Sequence, residues 1–271
     1  MVKVAIVQGR LSSPVGDRYQ YFPIHAWRDE FEKAAELGFD GIEWIVSDFT
    51  NPLLDRTCLE ETKKICDRTG VEVSSISLDV LMYNPTHYQA WGDLSWLFER
   101  ICEAVDLLGV RRVSIPVEEN SGIHSPEDAQ KVVSVLNKIL REFKGGIPLL
   151  SIETDLTPQN ISHLLARPEM KGLGVLVDVG NVAANGFSLV DYFDFFPDKI
   201  YGLHIKDRGS LYGATCPLGT GAAEFEVIAQ RCKELPALND ITLQAFRSPD
   251  NYIQDARQGL SFVKEKIGNA L

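Results

Sequence analysis

Eight short apolar runs alternate along this chain with eight amphipathic stretches, and that alternation limits the possible folds more than any other feature. The runs are Val2–Val7, Gly41–Trp44, Val71–Ser77, Arg112–Ile115, the segment ending at Glu153, the segment ending at Asp178, Ile200–Ile205 and Ile241–Leu243. They are near-continuous apolar runs, with Val71–Ser77 β-branched, as strands buried on both faces should be. Helical spacing follows each one. Trp27, Phe31, Ala34 and Ala35 recur on one face before Gly38, and a helix ends at Thr69 with Gly70 closing it. Leu94, Leu97, Phe98, Ile101, Val105 and Leu108 share a face before Gly109. Ser125-Pro126 predicts a capped start for a helix that buries Val132, Val133, Leu136, Leu140 and Phe143 and ends at Gly145-Gly146. Thr157-Pro158 opens the next, Ser188 the one after, and a further helix spans Glu224 to Cys232. Ser248-Pro249 predicts the start of the last helix, with Ile253, Ala256, Leu260, Val263 and Ile267 facing inward.

Eight strand–helix pairs within 271 residues, with no linker and no break in composition, predict one closed (β/α)₈ TIM barrel over residues 1–271. An open doubly wound sheet is the fallback. Strand 1 lacks the Gly-x-Gly-x-x-Gly turn that would favour it. The chain carries a formal net charge of −11, which argues against a nucleic-acid partner that needs a basic face. Its N-terminal apolar run is too short for a membrane span. The five cysteines, Cys58, Cys66, Cys102, Cys216 and Cys232, are odd in number and form no zinc-ribbon pair, so they read as free thiols of a cytoplasmic protein.

Function in a parallel barrel gathers at the C-terminal strand ends. Three runs end in residues able to bind a metal: Glu153, Asp178 and His204, spaced 25 and 26 positions apart. Neighbouring parallel strands at that spacing bring their ends together, which suggests a divalent metal site. Each has a plainer reading. Glu153 can be a solvated loop residue, Asp178 can start its loop, and His204 can be a core histidine with its polar atoms satisfied. The register of all three favours ligation.

Ile152-Glu153-Thr154, Val177-Asp178-Val179-Gly180-Asn181 and His204-Ile205-Lys206-Asp207-Arg208 resemble the corresponding pieces of the xylose isomerase-like barrels, the sugar and sugar-phosphate isomerases and epimerases. Gln8-Gly9-Arg10-Leu11, Gly41-Ile42-Glu43-Trp44 and Leu218-Gly219-Thr220-Gly221 extend the resemblance over most of the chain. It implies one divalent ion (Mn, Mg, Co or Zn) held by Glu153, Asp178 and His204, with a fourth ligand from strand 8. It also implies a small sugar or sugar-phosphate substrate and proton transfer through a metal-stabilised enediolate, with Glu153 as base. Related barrels are often dimers or tetramers, which leaves self-association open.

The family places Glu on strand 8, where this chain has Gln244. Its carbonyl oxygen can ligate, but the side chain cannot accept a proton in ordinary catalysis. Epimerisation needs two groups facing one carbon, whereas dehydration needs no inversion, so Gln244 shifts the expectation toward isomerase or lyase unless Glu43, Asp79, Glu118, Asp207 or Lys206 replaces the lost acid. A 3-epimerase or a polyol dehydratase is the alternative to the isomerase. Lys206 is the other catalytic candidate. A non-catalytic sugar-binding barrel is the rival of another class. Phosphodiester hydrolysis, found in DNA-repair members of the family, needs more histidine ligands than the strand ends supply.

Gln8, Arg10, Glu43, Asn181, Asp207, Arg208 and Arg247 are the candidate substrate contacts. Lys206 and Asp207 either pair with each other or touch substrate. Arg10 either touches substrate or is salt-bridged within the barrel, and Trp44 either walls the pocket or packs under a loop. The Gly219-Thr220-Gly221 amides, with Arg208 and Arg247, either hold a phosphate or merely shape the loop.

Overall fold

The computed structural model describes residues 2–16, 20–143, 148–244 and 246–268. In chain order the elements are β1 (Lys3–Val7), α1 (Trp27–Leu37), β2 (Gly41–Ile45), α2 (Arg56–Thr69), β3 (Glu72–Ser77), α3 (Val80–Tyr83), α4 (Trp91–Leu108) and β4 (Arg112–Val117). There follow α5 (Pro126–Glu142), β5 (Leu149–Thr154), α6 (Pro158–Leu165), β6 (Leu173–Asp178), α7 (Val179–Ala184), α8 (Leu189–Phe195) and β7 (Ile200–Ile205). The chain closes with β8 (Asp207–Arg208), β9 (Thr215–Cys216), α9 (Phe225–Arg231), β10 (Asp240–Leu243) and α10 (Tyr252–Lys266).

Eight parallel strands close into a barrel in the order β1-β10-β7-β6-β5-β4-β3-β2, with β8 and β9 forming a small antiparallel pair at its mouth. Closure leaves no unpaired edge among these strands. The strand residues are buried on both faces, as at Arg112–Val117 and Ile200–Ile205, because side chains fill the interior while helices cover the outside. In α5, Ser125 accepts from the Asp128 amide at 3.1 Å and Pro126 sits in the first turn, so the predicted cap forms. That helix buries Val132, Val133, Leu136 and Ile139; Ile139 takes the place expected for Leu140, which is only partly buried. Each fully buried aliphatic side chain contributes about 1.5–3 kcal/mol. The Gly145-Gly146 pair expected to end α5 lies outside the described residues.

Two boundaries differ from the sequence reading. The last helix starts at Tyr252 rather than at Ser248-Pro249. The Asp255 carboxylate reaches back to accept from the amide of Ser248 at 2.6 Å, which holds that segment as a loop folded against the first helical turn. One helix was expected after β6, but two form. Asp178 caps the extra one, α7, by accepting from the Asn181 amide at 2.8 Å. Trp44 is fully buried among Phe22, Trp27 and Phe31, and its indole N–H donates to Asn51 at 2.9 Å, so it packs under a loop.

Candidate metal centre

The register of the barrel brings the expected ligands together. Asp178 is the β-ladder partner of His204, and Glu153 lies on the next strand, paired with Pro116 of β4. Glu153, Asp178 and His204 each present one donor atom, and these atoms all lie within 4.8 Å of one another. The two oxygens of Asp178 divide their work. Oδ1 caps α7, while Oδ2 faces Lys206 Nζ at 2.7 Å. The Lys206 ammonium also donates to Gln244 Oε1 at 3.1 Å, which ties the end of β10, the eighth barrel strand, to the group. Gln244 in turn donates to Gln20 at 2.9 Å, and Gln20 to Asp79 at 2.8 Å.

One buried atom of the group, His204 Nδ1, has no hydrogen-bond partner among the described residues, and Asp178 Oδ2 is met only by the Lys206 ammonium. His204 Nδ1 stands 3.7 Å from Glu153 Oε1, beyond hydrogen-bonding range. Buried polar atoms are normally satisfied, so an open imidazole nitrogen beside two carboxylates calls for an explanation. Two carboxylates and an imidazole aimed at one point fit a divalent cation of the Mn, Mg, Co or Zn kind. Burial works against an imidazolium at His204, yet the carboxylates of Glu43 and Glu153 outweigh it and hold its pKa well above the usual value. The site therefore attracts positive charge.

Through Glu153 the group meets a cavity of about 390 Å³ at the C-terminal mouth, lined also by Lys206, Gln244, Asn181, Arg208 and eleven other residues. Asp79 and Glu118, named from the sequence only as stand-ins for a missing acid, both line it. Burial, reinforced by Glu153 and Asp178, pushes Glu118 well above the usual carboxylate range, and burial also raises Asp79. Gln20 lines it too, from a loop whose sequence carries no periodicity to mark it.

Several candidate substrate contacts lie elsewhere. Glu43 is fully enclosed beneath His204, with its oxygens taken by His204, Ser75 and Arg112, so it supports the ring instead of meeting substrate. Asp207 is 1% exposed and accepts from the amides of Gly219 (2.9 Å), Gly221 (2.9 Å) and Ala223 (3.1 Å). It neither pairs with Lys206 nor faces the cavity: it organises the loop after β7. A Cβ at Gly221 would come within 2.3 Å of the Asp207 carboxylate, which explains the glycine. Of the amides expected to hold a phosphate, those of Gly219 and Gly221 are thus engaged by a carboxylate of the chain itself, and that of Thr220 donates to the Pro217 carbonyl. Arg247 donates to the Gly9 carbonyl and, with Arg10, lines a separate small cavity outside the mouth. Arg10 also reaches Gln20 at 3.3 Å. Gln8 is 2% exposed, and its carbonyl oxygen accepts from the Ile45 amide at 3.4 Å. Arg208 does line the cavity, held by Gly213 O at 2.9 Å and Asn181 Oδ1 at 2.8 Å.

Comparison with known proteins agrees with this architecture. Residues 31–266 match the family description "Xylose isomerase-like TIM barrel". A probable L-ribulose-5-phosphate 3-epimerase, UlaE, of Mycoplasma pneumoniae is 21% identical over 215 residues, 74% of this chain and 70% of that protein. D-psicose 3-epimerase from Clostridium cellulolyticum H10, solved with D-tagatose, superposes with a TM-score of 0.75 at 12% identity, over 98% of this chain and 99% of that one. The IolI protein, solved with a bound zinc atom, superposes at 0.74 and 15% identity over the same shares. At such identities the two structures speak for the fold alone, whereas the family match covers most of the chain. This chain belongs to the xylose isomerase-like TIM barrel family.

Proposed function

We infer that this chain is an isomerase-class enzyme that moves a proton on a sugar or a closely related polyhydroxy carbonyl compound, with one divalent cation bound. The observation that carries the reading is the group Glu153, Asp178 and His204, with His204 Nδ1 left without a hydrogen bond among the described residues and Glu153 lining a cavity of about 390 Å³. Kinship with proteins named as 3-epimerases of a ribulose phosphate and of psicose supports the substrate class.

Glu153, Asp178 and His204, with the carbonyl oxygen of Gln244, would hold the cation. When bound, it supplies Lewis-acid polarisation of a substrate carbonyl and its neighbouring hydroxyl. Glu153 lines the cavity and is the one ligand only partly buried, so it can reach the carbon between those groups as the base. Acting alone it takes and returns the proton on one face, which is the requirement of an aldose–ketose isomerisation. Lys206 Nζ, between Asp178 and Gln244, can donate a proton to a substrate oxygen. Asn181 and Arg208, bonded to each other on the cavity wall, can orient hydroxyls. The Gly219, Gly221 and Ala223 amides are engaged by Asp207, which supports an unphosphorylated substrate.

A second reading, 3-epimerisation, is favoured by one observation. Lys206 and Glu118 both line the cavity beside Glu153, giving two more proton-bearing groups where the strand-8 carboxylate is missing. A panel of sugars, each with and without phosphate, incubated with the enzyme and Mn²⁺ in D₂O tests both. We expect one solvent deuterium at the exchanged carbon and a ketose–aldose pair as substrate and product. A C3 epimer as product would establish the second reading, and loss of water would point to a dehydratase. Sugar binding with no deuterium exchange across the panel would refute catalysis and leave a binding protein.

A further inference from the structure

Beneath the cavity, the barrel interior is charged where a core is usually apolar. Glu43, Arg112, His204 and Asp240 are all within 1% of complete burial. Arg112 donates to both oxygens of Asp240, at 2.9 and 2.7 Å, and to Glu43 Oε2 at 2.8 Å. Ser75 donates to the same Glu43 oxygen at 2.8 Å. The remaining oxygen, Oε1, meets His204 Nε2 at 2.7 Å. Thr242 and Asn239 complete the shell of Asp240, each at 3.0 Å. Gly202, two residues before His204, makes room for the guanidinium: a Cβ there would come within 2.7 Å of Arg112 Nε.

Stability is a poor explanation for such an arrangement. Desolvating buried ions offsets most of their attraction, and apolar residues of similar volume often do as well. The connectivity offers a better one. One cation, Arg112, faces two carboxylates, so the network keeps one unit of negative charge, and that charge meets the imidazole. With Oε2 filled by two donors, Glu43 presents Oε1 to Nε2 as an acceptor. The Nε2 atom must then carry a proton, and Nδ1 is left on the side of Glu153 and Asp178, without a hydrogen bond.

We propose that Glu43, braced by Arg112 and Ser75, is a positioning residue that fixes the proton of His204 on Nε2 and aims Nδ1 at the cation. The inference rests on the metal-binding reading given above and assigns to it a support reaching across the barrel. Carboxylates that orient a ligating imidazole raise its basicity and lock its ring, and their loss typically weakens metal binding about 10–100-fold. The network also explains why a charged residue on β2, far from the cavity wall, sits in line with a ligand on β7.

Zn²⁺ is the probe, with wild-type protein, Glu43→Gln and Ser75→Ala compared by competition against a chromophoric chelator. Circular dichroism and the thermal midpoint report folding. Long-range ¹⁵N–¹H spectra of ¹⁵N-histidine-labelled, Zn²⁺-loaded wild-type protein report which nitrogen of His204 is protonated. We expect zinc on Nδ1, a downfield Nε2 proton, and binding about 10–100-fold weaker in Glu43→Gln. Ser75→Ala, which removes one of the two braces, should weaken it roughly fivefold. Zinc on Nε2, or two folded variants that bind like wild type, would overturn the inference and leave the metal site standing. If Glu43→Gln does not fold, the wild-type spectrum and Ser75→Ala decide the matter. Wild-type protein that binds no cation would overturn the metal reading and this inference together.

Discussion

At the ends of β5, β6 and β7, the side chains of Glu153, Asp178 and His204 converge, and His204 Nδ1 is buried with no hydrogen-bond partner among the described residues. Three residues beyond His204, Asp207 is equally buried, yet it accepts hydrogen bonds from three amides of its own loop. In sequence the two regions look alike: polar residues follow an apolar strand, with glycines nearby. Their chemistry differs because one leaves His204 Nδ1 open and sets Glu153 on a cavity wall, while the other closes on itself. A polar residue at a strand end becomes a site only when the surrounding backbone leaves it unsatisfied.

Four substitutions would break or sharpen that contrast, and the first should have the largest effect. Glu153→Gln removes the proposed base, and turnover should fall by about 10²–10⁴, read as deuterium wash-in. Full activity in that variant would sink the assignment of the base. Asp207→Ala leaves three amides without their acceptor. It should reduce the unfolding free energy in urea by about 2–4 kcal/mol while zinc affinity stays within roughly threefold. A large loss of zinc affinity with unchanged stability would show that Asp207 belongs to the site after all. Gln244→Glu restores a carboxylate beside Lys206 and should tighten divalent-cation binding on the order of tenfold by calorimetry. Equal affinity would mean that the side chain at position 244 does not reach the cation. Arg247→Ala should change KM by less than about twofold for both phosphorylated and free sugars, because the guanidinium faces Gly9 and a separate cavity. A selective rise in KM for phosphorylated sugars would reopen the phosphate loop.

Much of this was legible in the chain itself. The strand–helix alternation predicted the barrel because the burial pattern of a parallel strand covered by helices is written locally. The spacing of Glu153, Asp178 and His204 predicted their convergence because neighbouring parallel strands carry their C-terminal ends to the same rim. The sequence placed Glu43 and Asp207 among the substrate contacts, whereas the structure fills their carboxylate oxygens from within the chain, and the difference has one origin. Each stands beside a recognisable motif, but the partners that occupy its oxygens lie on other strands or on a loop a dozen residues away. The late start of α10 has a similar origin. Ser248-Pro249 is a good local start signal, and the bond from Ser248 to Asp255 replaces it.

By itself the sequence determined the order of the elements, the closed parallel barrel and the three residues whose donors meet at its rim. Those depend on periodicity and on spacing between adjacent strands. Only the tertiary structure decided which polar atoms stay open and which are filled. That outcome depends on contacts such as Glu43 with His204, 161 residues apart, and Arg112 with Asp240, 128 apart. Such pairs cross the barrel interior, where hydrogen bonding is set by distances that no local pattern encodes.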